Sequence, residues 1–166
     1  MIKLLVLDVD GCLTDGKIIY TSNSSEVKEF NVKDGLAIAS WIRMGHHVAI
    51  ITGRNSFIVK RRADELGIKH LFQGIKDKDR VLNDIISSLK LSLQEVAAIG
   101  DDLNDYKMLS LAGRSFTPKN GVKDIQMIVD TVLSKNGGDG AVREMIDIII
   151  EENNQKEEFI SLWIKD

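Results

Sequence analysis

A chain of 166 residues, 43% hydrophobic and 28% charged, is long enough to bury one substantial core and too short for two ordinary domains. Its net charge of −3 gives no reason to expect nucleic acid or an anionic membrane as a partner. The single cysteine, Cys12, excludes an internal disulfide, and no apolar segment has the length of a secretion signal or a membrane span. We therefore expect one cytoplasmic domain spanning residues 1–166.

The first predicted elements are a buried strand and a hairpin. An apolar run over residues 2–7 lacks alternation, which predicts a strand buried on both faces. Two short β-like runs, 17–22 and 26–32, surround a polar tip and predict a β-hairpin over about 17–32.

Helices and strands then alternate to the C-terminus. This alternation predicts an α/β fold, a Rossmann-like, doubly wound parallel sheet with helices on both faces, extended by the hairpin after strand 1. The predicted helices are 34–44, 56–66, 78–89, 103–112 and 141–152, and the predicted strands are 47–52, 69–72, 96–99 and 115–117.

The C-terminal tail, about 151–166, is polar at first and then regains apolar residues at helical spacing, Phe159, Ile160, Leu162 and Trp163. Such a pattern fits packing against the chain's own body, or a lid over a neighbouring subunit. Both alternatives stay open at this point.

Two acids, Asp8 and Asp10, follow the first predicted strand. In open α/β sheets, ligands bind in the loops beyond the carboxyl ends of the strands. Because two close carboxylates repel each other, a hard cation such as Mg²⁺ is the usual partner of such a pair. Taken alone, the pattern also fits a solvated strand end.

Further polar groups follow later strands, and parallel strands bring these ends to one edge of the sheet. The set suits phosphoryl transfer. A carboxylate can serve as the nucleophile and a second carboxyl can transfer protons, while a metal, a Lys and a hydroxyl neutralise phosphoryl oxygens. The later groups are Thr52, Gly53 and Arg54 at the end of strand 47–52, Lys78 beyond strand 69–72, and Asp101, Asp102 and Asp105 after strand 96–99.

In this order the motifs resemble those of the haloacid dehalogenase superfamily of phosphotransferases. The matching segments are D-V-D-G-C-L-T-D-G, I-I-T-G-R, Lys78 and G-D-D-L-N-D. The resemblance implies that Asp8 is the nucleophile, that Asp10 is the general acid and base, and that Thr52 and Lys78 bind the phosphate.

The resemblance also implies a Mg²⁺ cofactor. The side chain of Asp8, the backbone carbonyl of Asp10 and the side chain of Asp101 would bind the metal. Asp102 is expected beside them as a metal residue, and Asp105 is expected to support the site.

The intervals between the motifs leave no room for a cap domain. Asp10 and Thr52 are 42 residues apart, an interval filled by the hairpin and one helix, and the 26 residues from Thr52 to Lys78 hold a helix and a strand. The chain thus resembles the capless subgroup of the family. That resemblance implies a homotetramer formed through the hairpin, in which a neighbouring subunit covers each otherwise wet site.

Substrate-contact segments extend the resemblance and imply a phosphorylated sugar acid as substrate. Octulosonate-type members carry Arg at the position of Arg54, and nonulosonate-type members carry Glu, so an octulosonate 8-phosphate is favoured. Ala39 and Asp139 depart from the octulosonate-type pattern, which keeps a nonulosonate 9-phosphate open. The implied substrate residues are Asp10, Asn31, Val32, Lys33, Asp34, Gly35, Gly53, Arg54, Arg62, Lys78 and Arg143.

Two other classes of function compete with a phosphatase. A non-catalytic oligomerisation domain of the same fold is expected to lose the nucleophile or the metal acids, and here Asp8, Asp10, Lys78 and Asp101 are all present. A receiver domain also combines acids, a Thr and a Lys, but it needs its phosphorylated Asp near mid-chain rather than after the first strand.

Overall fold

The computed structural model describes residues 1–164. Its strands are β1 (Leu4–Leu7), β2 (Ile19–Tyr20), β3 (Glu26–Val27), β4 (His47–Ile51), β5 (His70–Phe72), β6 (Val96–Ile99), β7 (Arg114–Thr117) and β8 (Thr131–Val132). Its helices are α1 (Val32–Arg43), α2 (Phe57–Leu66), α3 (Lys78–Leu89), α4 (Tyr106–Leu111), α5 (Lys123–Gln126), α6 (Ala141–Glu152) and α7 (Lys156–Ser161). Over the described range, each of these helices is too short or too polar to cross a lipid bilayer.

The central sheet has six parallel strands in the order β5-β4-β1-β6-β7-β8. Successive side chains of β1 point to opposite faces, as in any strand. Leu5 and Leu7 therefore enter a core cluster with α1 and α6, whereas Leu4 and Val6 enter a second cluster with α3 and α4. A sheet with helices on both faces explains the unbroken apolar run in β1, and it confirms the predicted α/β fold.

The hairpin is shorter than predicted. Only Ile19–Tyr20 and Glu26–Val27 pair as strands, and Val32 already belongs to α1. The helix starts early because the side chain of Asn31 caps it, accepting a hydrogen bond of 2.9 Å from the backbone N–H of Lys33. The prediction that 26–32 forms one β-like run was therefore wrong at its C-terminal end.

The tail packs against its own chain over its described part. The α7 residue Phe159 is buried in the core cluster that contains α1. Trp163 Nε1 donates a 2.9 Å hydrogen bond to Ser40 Oγ, and the guanidinium of Arg43 lies 5.0 Å from the centre of the Trp163 ring. These contacts favour the first of the two alternatives for residues 156–164, while 165–166 lie outside the described residues.

Candidate active site

Strand register brings the main sequence motifs to one edge of the sheet. The central strand β1 pairs with β4 through Leu7 and Ile50, and with β6 through Leu7 and Ile99. The three strands therefore end side by side. The backbone N–H of Asp8 donates a 3.2 Å hydrogen bond to the carbonyl of Ile99 at the end of β6. Asp8 and Thr52 directly follow β1 and β4 and are buried, and Asp101 is the second residue after β6.

The turn after β1 needs a glycine at position 11. Gly11 has φ +99°, a left-handed conformation that side chains disfavour, and a Cβ there would lie 2.0 Å from Asp101 Oδ2. The hydroxyl of Thr14 accepts hydrogen bonds from the N–H groups of Gly11 (3.4 Å) and Gly16 (3.2 Å). The turn is thus shaped so that the carboxylate of Asp101 fits directly against its backbone.

A buried lysine joins two of the acids. Lys78 is the first residue of α3, and its Nζ donates to Asp8 Oδ1 at 2.6 Å and to Asp105 Oδ1 at 2.5 Å. Burial lowers the pKa of this amine, but the charges of Asp8 and Asp105 outweigh burial and raise the pKa overall. The residue is therefore an ammonium ion held between two carboxylates in the interior.

Three acids, Asp8, Asp101 and Asp105, lie near this one lysine, and the pKa values of Asp8 and Asp101 are raised. Burial, followed by the charge of Asp105, raises the pKa of Asp8 to about 8 despite the opposing effect of Lys78. Burial and the same neighbour raise the pKa of Asp101 to about 7. A second positive charge at this position would stabilise both carboxylates.

The donor atoms present fit a hard divalent cation. Carboxylate oxygens of Asp8 and Asp101 and the Sγ atom of Cys12 lie within 4.8 Å of one another. Burial, together with the nearby acids, raises the pKa of the Cys12 thiol well above its ordinary value, which keeps it neutral. Two carboxylates that lie this close together, one of them buried, are ligands suited to Mg²⁺.

Asp102, expected beside the metal, lies outside this group of donors. Its side chain is exposed and accepts a 2.7 Å hydrogen bond from the N–H of Leu103, so it caps the short helical turn that follows. Asp105 instead turns inward, and its Oδ2 accepts a 3.0 Å bond from the N–H of Asp101. Besides holding Lys78, Asp105 therefore fixes the backbone of the loop after β6.

The hairpin contributes charges that the sequence analysis missed. Lys28 Nζ contacts Asp10 Oδ1 and lies 3.4 Å from Glu26 Oε1, and the Lys28 side chain is only 1% exposed. Arg54 donates to Glu26 at 3.0 Å and places its Nε 3.9 Å from Asp10 Oδ2. Ser56 Oγ donates to Glu26 Oε2 at 2.8 Å. An ionic cluster thus joins the hairpin to Asp10 and to the loop after β4.

Arg62 lies in a groove of about 380 Å³ whose lining includes Lys28 and Val32. Its guanidinium lies 5.7 Å from the centre of the Phe30 ring. It also packs so closely against α1 that a Cβ on Gly35 would lie 2.3 Å from one of its nitrogens.

A second groove, of about 690 Å³, is lined in part by Asn31, Lys33 and Arg143. Arg143 Nε donates to Asp147 at 2.9 Å, and the backbone N–H of Arg143 donates to Asp34 Oδ1 at 2.7 Å. Asp34 is buried, which raises its pKa to about 6. Among residues 1–164, the hydrogen bonds and ion pairs of these side chains do not reach Asp8. Asn31, Asp34, Gly35 and Arg62 nevertheless line one small pocket together.

Comparison with known proteins places these motifs in a family. The haloacid dehalogenase-like hydrolase family matches residues 71–146. The 3-deoxy-D-manno-octulosonate 8-phosphate phosphatase of Haemophilus influenzae is 37% identical over 95% of this chain and 88% of its own length. The Escherichia coli K12 enzyme of the same name is 40% identical over 90% of this chain and 79% of its own length.

Solved structures agree with the sequence relatives. The phosphatase of that name from Moraxella catarrhalis, solved with magnesium, phosphate and KDO, is 43% identical, covers 98% of this chain and 94% of its own, and has a TM-score of 0.94. The cobalt-bound Haemophilus influenzae structure is 37% identical, covers 96% of this chain and 93% of its own, and has a TM-score of 0.91. The chain belongs to the haloacid dehalogenase-like hydrolase family and is a phosphatase that resembles the 3-deoxy-D-manno-octulosonate 8-phosphate phosphatases.

Proposed function

We propose that this chain hydrolyses 3-deoxy-D-manno-octulosonate 8-phosphate to the free sugar acid and phosphate through an aspartyl-phosphate on Asp8. The observation that carries the proposal is the buried Asp8–Lys78–Asp105 cluster, which lies beside Asp101 at the carboxyl edge of the sheet. The test is phosphate release by the purified protein from a panel of phosphorylated sugars and sugar acids. The lone buried thiol, Cys12, suits a reducing compartment, so the cytoplasm is the proposed location.

The residues can divide the reaction into two displacements. A carboxylate oxygen of Asp8 attacks phosphorus while the P–O bond to the sugar breaks, and the leaving oxygen takes a proton from Asp10. A water molecule then attacks the phosphorus of the aspartyl-phosphate, gives its proton to the Asp10 carboxylate, and releases phosphate and the Asp8 carboxylate. Lys78 and the hydroxyl of Thr52 neutralise the phosphoryl oxygens.

Mg²⁺ is the cofactor. Asp8 and Asp101 are the side chains that would hold it, and the bound ion supplies positive charge against the developing charge of the phosphoryl group. Asp105 contributes indirectly, because it anchors both the Lys78 ammonium and the backbone of Asp101.

Metal binding is expected to depend on pH in a defined direction. In an unfolded chain, Asp8 and Asp101 lose their protons near pH ~4. In the folded, metal-free chain the pKa of Asp8 is about 8 and the pKa of Asp101 is about 7, so both stay protonated to higher pH. The unfolded state therefore binds fewer protons in this window, and the free energy of unfolding falls as the pH rises through it. Because Mg²⁺ favours the ionised carboxylates, it should raise Tm more at pH ~8 than at pH ~6. Equal increases in thermal melts at the two pH values would contradict this prediction, and Asp101→Asn is the control in which the difference shrinks.

Arg54 is the proposed anchor for the sugar acid. It directly follows the Thr52-Gly53 pair, and its side chain is 38% exposed beside Asp10. A guanidinium binds a carboxylate through two parallel hydrogen bonds, which a lysine cannot reproduce. An ulosonic acid carries such a carboxylate far from its phosphate. Because octulosonate-type members carry Arg at this position and nonulosonate-type members carry Glu, Arg54 favours an octulosonate 8-phosphate as the substrate.

Replacing Arg54 by Met is expected to act mainly on substrate choice. The kcat/KM for octulosonate 8-phosphate should fall by roughly 30- to 150-fold, since a lost charge-assisted pair costs about 2–3 kcal/mol. A small phosphate ester should lose far less. The matched control is Arg61→Met, which removes an exposed arginine that pairs with Glu65. Equal losses on both compounds would mean that Arg54 serves the phosphate rather than the sugar acid.

A homotetramer with each site covered by a neighbouring subunit is part of the proposal. The hairpin region exposes the apolar side chains of Ile18, Ile19, Tyr20 and Val27, and exposed apolar patches often mark interfaces. Arg62 and Arg143 line two grooves whose linings do not include Asp8, which also suits a site completed by another subunit. Sedimentation velocity at micromolar protein should report a tetramer, and a fully active monomer would refute this assembly.

A further inference from the structure

The ionic cluster around Asp10 contains Lys28, which has no role in the reaction described above. Lys28 follows β3, and because side chains alternate along a strand, Glu26 and Lys28 project to the same side. That side faces the turn that carries Asp10. The Lys28 side chain is 1% exposed, whereas lysines are almost never fully buried unless they are paired.

The ammonium of Lys28 has two acidic partners and little access to solvent. It contacts Asp10 Oδ1 and lies 3.4 Å from Glu26 Oε1. Glu26 is itself held by Arg54 and Ser56. The Lys28 ammonium is thus held between Glu26 and Asp10.

Asp10 has few other restraints. It lies in an irregular turn with φ −77° and ψ 108°, directly before the left-handed Gly11, so no regular secondary structure fixes its backbone. Lys28 binds one oxygen of its carboxylate, and Arg54 Nε lies 3.9 Å from the other. Without Lys28, only this longer contact with Arg54 would hold the carboxylate among the ion pairs of the described residues.

We infer that Lys28 is a positioning residue for Asp10, and that the hairpin thereby fixes the group that transfers protons in the reaction. The inference rests on the proposed function, in which Asp10 gives a proton to the leaving oxygen and later takes one from water. Lys28 itself does not need to touch the substrate. A displacement of a catalytic group by about 1 Å can cost on the order of 100-fold in rate.

The test replaces Lys28 by Met, which keeps an unbranched side chain one atom shorter and removes the charge. We expect kcat to fall about 100-fold on both octulosonate 8-phosphate and p-nitrophenyl phosphate, with KM nearly unchanged. Lys28→Arg, which restores a cation, should recover most of the lost kcat. The matched control is Lys3→Met, which removes a lysine paired with Glu95 at the opposite edge of the sheet and should leave kcat unchanged.

A double-mutant cycle separates positioning from a merely structural role. In an Asp10→Asn background, Lys28→Met should cause no further loss of p-nitrophenyl phosphate hydrolysis, because its effect passes through Asp10. Thermal melting verifies that each variant is folded, and Lys28→Gln replaces Lys28→Met if the latter does not fold. A further loss in the Asp10→Asn background would overturn the inference.

Two other results would also overturn the inference: an unchanged kcat in Lys28→Met, or a rise in KM confined to the sugar acid. A wild-type protein without Mg²⁺-dependent phosphate release would refute the proposed function itself. If the wild-type protein is active and depends on Asp8 while Lys28→Met is unimpaired, only the inference about Lys28 fails.

Discussion

Replacing Asp8 by Asn is expected to abolish phosphate release while leaving the chain folded. The amide keeps the size of the side chain and can still accept a hydrogen bond from Lys78, but it cannot form the acyl-phosphate bond. Loss of a nucleophile typically removes at least about 10⁴-fold in kcat. The substitution also removes one of several like charges in a buried cluster, so the metal-free variant should melt no lower than the wild type at pH ~8.

Phosphate release and thermal melting with and without EDTA measure this result. Asp84→Asn, on the exposed side of α3, is the matched control and should keep wild-type kcat. If Asp8→Asn keeps near-wild-type turnover, or if EDTA leaves the wild-type enzyme unaffected, the aspartyl-phosphate mechanism is refuted.

Central strands could be predicted from sequence because their signal is local and strong. The runs that became β1, β4 and β6 are apolar on both faces, and each is followed by polar and glycine residues at the carboxyl edge of the sheet. Helix α5 and strand β8, which were not predicted, span only four and two residues. Elements that short are stabilised by tertiary contacts and carry no readable period.

Positions of the site residues were predictable where a strand end determines them. Asp8, Thr52 and Asp101 follow neighbouring parallel strands, so topology alone brings them together. The direction of each side chain was not predictable from its place in the sequence. Asp101 faces Asp8, whereas the neighbouring Asp102 is exposed to solvent and caps a turn. Lys28 was missed because the sequence around a lysine in a short hairpin strand is the same whether its side chain faces water or a buried acid.

The glycine-rich loop before α6 makes close backbone contact with the turn that follows β1 and carries Asp10. A Cβ on Gly137 would lie 1.7 Å from the carbonyl oxygen of Gly11 and 2.9 Å from that of Thr14. The N–H of Gly138 donates a 3.0 Å hydrogen bond to the carbonyl of Cys12. The loop therefore packs against the turn between β1 and the hairpin, and only glycine permits this close approach.

Replacing Gly137 by Ala is expected to damage stability and catalysis together. The new methyl group meets backbone rather than a flexible side chain, so the turn that carries Asp10 and holds Asp101 must move. Overpacking of this kind costs about 3 kcal/mol or more in the free energy of unfolding, and displacement of the turn should lower kcat at least about tenfold.

Gly140→Ala is the matched control for this experiment. Gly140 has φ +93° in the same loop, but a Cβ at this position would meet no other part of the described chain within 4 Å. Only backbone strain of about 1–2 kcal/mol is therefore expected, with kcat retained.

Urea unfolding and kcat, measured on both variants, test the comparison. If Gly137→Ala loses stability but keeps full kcat, the loop supports the fold without controlling the catalytic turn. If the two variants behave alike, the close approach of Gly137 to Gly11 has no special weight, because Gly140→Ala makes no such contact and would cost as much.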